Sequence, residues 1–120
     1  NIKYLVKGYK KIITNRWRFV FSASKHTKSV FRSFFLKKNL GISMIQPKYF
    51  NFRTQDLGDS YFDAGNFYWG KKSSWLSNNA IFFSKKNTIV NIPSLRVQDV
   101  DNKEDWKKLE IKFKNLKKNK

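Results

Sequence analysis

Asp99 and Asp101 are two carboxylates separated by one residue, where an extended run gives way to a helical pattern. In a strand, residues i and i+2 point to the same side. Carboxylates so placed repel each other unless a cation sits near them. Hard oxygen ligands suit Mg²⁺, which takes one or two carboxylates and completes its octahedron with water and substrate phosphates. In open α/β sheets, ligands gather at the carboxyl ends of strands. The pair is therefore the candidate catalytic and metal-holding element. A second reading stays open: one aspartate caps the following helix and the other is a surface residue.

The stretch from Arg53 to Gly70 is the second candidate. It mixes Arg53, Gln55, Asp56, Asp59, Asp63 and Asn66 with aromatics and glycines. Apolar walls with a few fixed polar groups make a ligand pocket. Phe67, Tyr68, Trp69, Phe82 and Phe83 serve equally as core. His26 lies in a polar loop with no nucleophile or carboxylate beside it, and reads as solvated. No glycine-rich phosphate loop, Ser/His/Asp set or zinc spacing occurs. If a nucleotide is handled, its phosphate loop lies elsewhere.

These residues need a scaffold. Apolar residues at helical spacing predict an amphipathic helix over 2–14, ended by Asn15 and Arg16. Residues 17–24 predict a buried strand. A helix followed closely by a strand suggests part of an α/β unit with a parallel or mixed sheet. Residues 30–36 fit either strand or short helix. Residues 37–41 read as a turn, and 41–46 as a strand paired with 30–36 and ended by Pro47. Residues 51–57 read as loop, 58–63 as a short helical turn, and 64–69 as a strand. A short helix carrying Trp75 and Leu76 follows. A turn at 78–79, strands at 80–83 and 88–92, and an extended run over 95–100 come next. The last helix has Asp101 or Asn102 as its cap, Glu104 and Asp105 in the first turn, and Trp106, Leu109, Phe113 and Leu116 as its apolar stripe.

Composition sets bounds. The 120 residues are 40% hydrophobic and 18% aromatic, enough for one domain with a modest core. No cysteine is present, which excludes disulfides and thiolate zinc. No run is long enough to span a membrane. The net charge of +18 suggests nucleic acid or an anionic surface. Yet all 8 acids lie between Asp56 and Glu110, in two groups that would interrupt a basic track. A small basic nucleic-acid-binding module is therefore the alternative rather than the main reading. The chain begins at Asn1 in a helical pattern, as expected of part of a longer protein.

Several words in fixed order carry a family resemblance. They are Arg53-Thr-Gln-Asp-Leu57, Asp63-Ala-Gly-Asn-Phe-Tyr-Trp-Gly70, Ile81-Phe-Phe-Ser84, and Arg96-Val-Gln-Asp-Val-Asp101 with Glu104-Asp-Trp106. From about Val20 to Phe113 the chain resembles the C-terminal half of acylneuraminate cytidylyltransferases, nearest the pseudaminic acid branch. The resemblance implies an α/β fold, the C-terminal half of a Rossmann-like nucleotidyltransferase sheet. It also implies a small β-rich region over about 30–92 for sugar binding and dimerisation. The implied activity is cytoplasmic transfer of CMP from CTP to a nonulosonic acid sugar, with Mg²⁺, in a homodimer. By motif, Asp99 and Asp101 match metal-binding aspartates. Arg32, Arg53, Gln55, Asp63, Asn66, Tyr68, Phe82, Phe83 and Gln98 match substrate-binding or interface positions. Asn66 stands where the family pattern has Gln, Asn102 where it has Thr, and 25–32 lacks the pattern's prolines. The CTP-binding half is absent from these residues, so the chain alone is expected to be inactive.

Overall fold

A computed structural model describes residues 1–77 and 83–118. The chain divides into two compact units, one formed by Asn1–Ser24 with the chain from Asp63 onward, the other by Lys25–Phe62. The first unit is α/β. Its sheet has the order β4-β1-β5, from Tyr61–Gly70, Phe19–Lys25 and Asn87–Asn91. β1 and β5 run parallel, with Val20 opposite Thr88 and Ser22 opposite Val90.

β1 is buried from Phe19 through Ser24 because it is the central strand and is covered on both faces. Its side chains alternate between the two faces with the strand period. On one face Val20 joins Ile12 and Val90, with Tyr4, Trp17, Phe67 and Trp69 packed around them. On the other, Phe19 meets Trp75 edge-on at 5.0 Å and Phe21 stacks on Tyr68 at 6.1 Å. Aromatic and β-branched content predicts a buried strand here, and its coverage on both faces explains why no polar alternation shows.

The helix α1, Ile2–Ile12, covers the first face. Asn1 Oδ1 caps it, accepting from the Lys3 amide at 3.2 Å. Asn15 follows its end with φ 58°, a left-handed conformation that asparagine tolerates. Gly8 lets α1 approach the sheet closely: a Cβ there would lie 2.7 Å from Trp69 Cδ1 and 2.8 Å from Phe67 Cε2. Trp69 Nε1 donates to the Leu5 carbonyl at 3.2 Å, and Lys11 Nζ to the Ile89 carbonyl at 2.8 Å. Desolvation, then the neighbouring Lys7, lowers the Lys11 pKa. Gly8→Ala is expected to destabilise the fold by about 1–3 kcal/mol, read as a lower urea midpoint, because two ring systems must move. An unchanged midpoint would show that the helix can shift freely.

The helix α3, Lys103–Lys118, begins at Asn102, whose Oδ1 accepts from the Glu104 and Asp105 amides at 2.9 and 3.0 Å. Of the two expected caps, Asn102 is the one used. The apolar stripe differs from expectation. The half-buried residues are Asp105, Leu109, Lys112 and Leu116, while Trp106 and Phe113 are exposed. Lys112 takes an inward place because Nζ donates to the Val97 and Ser94 carbonyls at 2.7 and 3.3 Å, an anchor that periodicity of apolar residues cannot reveal.

Other expectations need correction. Residues 58–63 form no helical turn: the strand β4 already begins at Tyr61. The run 95–100 is not a strand. Ser94–Arg96 is a 3₁₀ turn, Val97 is extended as expected, and 97–100 pairs with no strand among the described residues. The short helix α2, Lys72–Trp75, and the strand β5 stand where expected. The expected turn at 78–79 and the expected strand at 80–83 lie outside the described residues, except for Phe83.

In the second unit, β2 (Phe34–Leu36) and β3 (Ile42–Met44) form the expected antiparallel hairpin, Phe35 opposite Ser43. The ambiguous 30–36 segment resolves into a 3₁₀ turn, Val30–Arg32, followed by the strand. Pro47 ends β3 by opening a further 3₁₀ turn, Pro47–Tyr49. The 51–57 loop holds a third, Thr54–Asp56. Phe31 and Tyr49 meet at 4.9 Å, and Tyr49 and Phe52 at 5.6 Å.

Candidate functional site

β4 bends at Gly65, whose φ of 64° is a left-handed value that glycine adopts without strain. The Gly65 amide donates to Asp63 Oδ1 at 2.9 Å. Beyond the bend, the Asn66 and Phe67 amides both donate to Ser22 Oγ, at 2.9 and 3.2 Å. Ser22 is fully buried in β1. A single hydroxyl thus accepts two backbone donors at the irregularity that sets the direction of Asn66, Phe67 and Tyr68.

Asn66 and Phe67 line a cavity of about 360 Å³ within the first unit. Asn1, Tyr4 and Leu5 from the start of α1 contribute, as do Ile92 just past β5, Leu95, Arg96, Gln98, and the α3 residues Leu109, Lys112, Phe113 and Leu116. Two cationic side chains and three side-chain amides therefore border mostly apolar walls, with no acidic side chain among the lining residues. Gln98 Nε2 donates to the Asp99 carbonyl at 2.8 Å. Of the sequence-derived candidates, Asn66 and Gln98 share this cavity. Arg96 and Lys112 were not among those candidates. Arg96 lay in the same short word as Gln98. Lys112 looked like one more helix lysine.

A second cluster forms around β4. Tyr68 Oη donates to Asp63 Oδ2 at 2.5 Å, and Phe21 bridges Tyr68 to Phe83 at 6.0 Å. The hydrogen bond to Asp63, then desolvation, pushes the Tyr68 pKa up to about 12. The raised value favours the protonated phenol in the folded state. Its contribution to stability is complete below pH 10, the unfolded value, and disappears as pH rises through about 12. In a spectrophotometric titration, one phenol should ionise after the others. Asp63→Asn should return it toward the ordinary range, and no change would remove Asp63 as the cause.

Asp99 and Asp101 are both exposed, and no ion pair among the described residues takes up either. The Asn102 cap leaves the Asp101 carboxylate unused. The same-side argument for the pair loses its strand, because 97–100 is unpaired among the described residues. No group of three or more His, Cys, Asp or Glu that could hold a metal occurs among the described residues. Two hard, uncommitted carboxylates still match the one or two that Mg²⁺ requires.

Arg32, Arg53 and Gln55 belong to the second unit. Arg32 closes the first 3₁₀ turn and is exposed. Arg53 donates to Asp56 through Nε at 2.9 Å and Nη2 at 3.4 Å, an exposed pair of small energetic weight. Gln55 lies in the turn Thr54–Asp56 and is exposed. Phe82 lies outside the described residues. Two further polar groups escape sequence reading: Ser24 Oγ at the end of β1 and Ser29 Oγ just before the turn Val30–Arg32 are buried atoms with no hydrogen-bond partner among the described residues.

No protein-family model matches the chain. A pseudaminic acid cytidylyltransferase of Campylobacter jejuni (strain 81-176) is 33% identical over 114 residues, 95% of this chain. The chain is a relative of the pseudaminic acid cytidylyltransferases. A second such enzyme, from C. jejuni strain NCTC 11168, matches with the same identity and extent. A Helicobacter pylori protein named as both a pseudaminic acid cytidylyltransferase and a UDP-2,4-diacetamido-2,4,6-trideoxy-beta-L-altropyranose hydrolase is 33% identical over 99 residues, 82% of this chain and 19% of its own length. The chain spans about half the length of the Campylobacter relatives, 49% of each. Among the described residues, no helix is long and apolar enough to cross a membrane.

Proposed function

We propose that the chain is the sugar- and metal-binding, C-terminal part of a CMP-sugar synthetase with a Rossmann-like nucleotidyltransferase sheet. Its substrates are CTP and a nonulosonic acid, pseudaminic acid first. The observation that carries this reading is the 33% identity over 95% of the chain to enzymes of that name. The sugar's anomeric hydroxyl attacks the α-phosphorus of CTP, and pyrophosphate leaves. Asp99 and Asp101 would hold Mg²⁺, which supplies neutralisation of the phosphate charge. Arg32 and Arg53 offer cations to the anionic substrate, with Gln55, Asn66 and Gln98 as amide partners. Asp63 accepts the hydrogen bond that orients the Tyr68 phenol, and Phe82 and Phe83 supply apolar wall.

A chimera tests the reading. The corresponding half of a Campylobacter enzyme is replaced by this chain and assayed with CTP, pseudaminic acid and Mg²⁺. Pyrophosphate and CMP-sugar are expected. A folded chimera that makes neither with any nonulosonic acid would overturn the proposal. The 120-residue chain alone is expected to release no pyrophosphate.

The homodimer belongs to the same proposal. In the second unit the hairpin exposes Phe34, Phe35, Leu36 and Ile42, each more than half accessible, and Phe50 is similarly open. An isolated two-stranded hairpin is marginal in water, and these exposed apolar side chains favour a covering partner. Phe35→Glu should shift sedimentation toward monomer. A variant that sediments like the parent would remove the hairpin as the interface.

A further inference from the structure

We infer that Arg96 is the residue that receives the substrate's carboxylate, within the cavity bordered by Asn66, Gln98 and Lys112. This inference rests on the reading of the substrate as a nonulosonic acid. Arg96 is half-buried, and its guanidinium makes no hydrogen bond or ion pair with any described residue. A partly desolvated cation without a partner is costly, and an oxyanion would relieve that cost. Lys112, the other cation at the cavity, already gives two of its N–H groups to the Val97 and Ser94 carbonyls. Arg96 alone keeps a whole planar fork, the geometry that fits a carboxylate with two parallel hydrogen bonds. No lining residue is acidic, so nothing in the cavity competes for it.

The rest of the cavity fits the rest of such a molecule. Leu95, Leu109, Phe113 and Leu116 offer apolar wall to methyl and N-acyl groups, and the Asn66 and Gln98 amides can pair with an N-acyl amide. The volume of about 360 Å³ lies in the range of small-molecule sites. Arg53, by contrast, is exposed and spends its fork on Asp56.

Isothermal titration calorimetry on the 120-residue chain tests this, with pseudaminic acid and its methyl ester as probes. Arg96→Gln should weaken binding of the acid about 10- to 100-fold. Arg96→Lys should recover part of the loss. The ester should bind the unsubstituted chain as weakly as the acid binds Arg96→Gln. The variants should melt as the parent does, since Arg96 holds nothing in place. Equal affinity of parent and Arg96→Gln for the acid overturns the inference. So does an ester that binds as well as the acid, or an unsubstituted chain that binds no acid. A loss confined to inorganic pyrophosphate assigns Arg96 to the nucleotide and overturns it too. The two proposals fail separately: a productive chimera with unchanged acid binding sinks only the carboxylate assignment. Carboxylate-dependent binding by a chain whose chimera is inactive sinks only the activity.

Discussion

Asp99→Asn or Asp101→Asn, placed in the active chimera, is expected to lower kcat by at least about 100-fold and to raise the Mg²⁺ concentration needed. Thermal stability should hardly move. Both carboxylates are exposed and neither makes an ion pair among the described residues. Surface changes of that kind stay within about 0.5 kcal/mol. Asp101 precedes the α3 cap, so its charge adds at most about 1 kcal/mol through the helix dipole. Asn102 makes the cap and is untouched. This separation of activity from stability distinguishes a metal site from a helix cap. Activity within threefold of the parent, with unaltered Mg²⁺ dependence, would reject the aspartates as ligands. A large drop in melting temperature would return them to a structural role.

Ser22→Ala is expected to have the largest effect on stability, about 2–3 kcal/mol in chemical denaturation. The lost hydroxyl leaves the Asn66 and Phe67 amides without their acceptor beside a buried strand. The cost is that of unsatisfied donors rather than of a cavity, since only one oxygen is removed. Ser22→Thr keeps the acceptor and should lose much less if its methyl is accommodated. Because the same bond directs Asn66 toward the cavity and Tyr68 toward Asp63, Ser22→Ala should also bring the late phenol ionisation earlier. A stability loss below about 0.5 kcal/mol would mean that the two amides find other acceptors.

Much of the scaffold was legible before any coordinates. The 2–14 pattern, the apolar run before Lys25, the Pro47 stop and the strand at 88–92 are local signals, written in residues close in sequence. The misreadings share one cause. Tyr61 and Phe62 have the same composition in a turn as in a strand, and tertiary context placed them in β4. Leu95 reads as extended in the sequence, but the following backbone pairs with no strand among the described residues and Ser94–Arg96 turns instead. In α3 the exposed Trp106 bonds through its indole to Glu110 at 3.0 Å, while Lys112 goes inward for two carbonyls that no helical wheel includes.

Relationship to the pseudaminic acid cytidylyltransferases was readable from the order of short words between Arg53 and Trp106, because side-chain identity is itself the signal there. The acid pair at 99 and 101 and the amphipathic first helix were determined in the same way, whereas the choice of Asn102 over Asp101 as the cap was made by the fold. Tertiary structure alone decided which of those residues share a space. It put Asn66 and Gln98 on one cavity with Arg96 and Lys112, and Asp63 on the Tyr68 phenol. It gave Ser22 to the bend at Gly65. The physical reason is that hydrogen bonding and burial depend on distance in space. Ser22 and Asn66 lie forty-four positions apart along the chain but within 2.9 Å of each other in the fold.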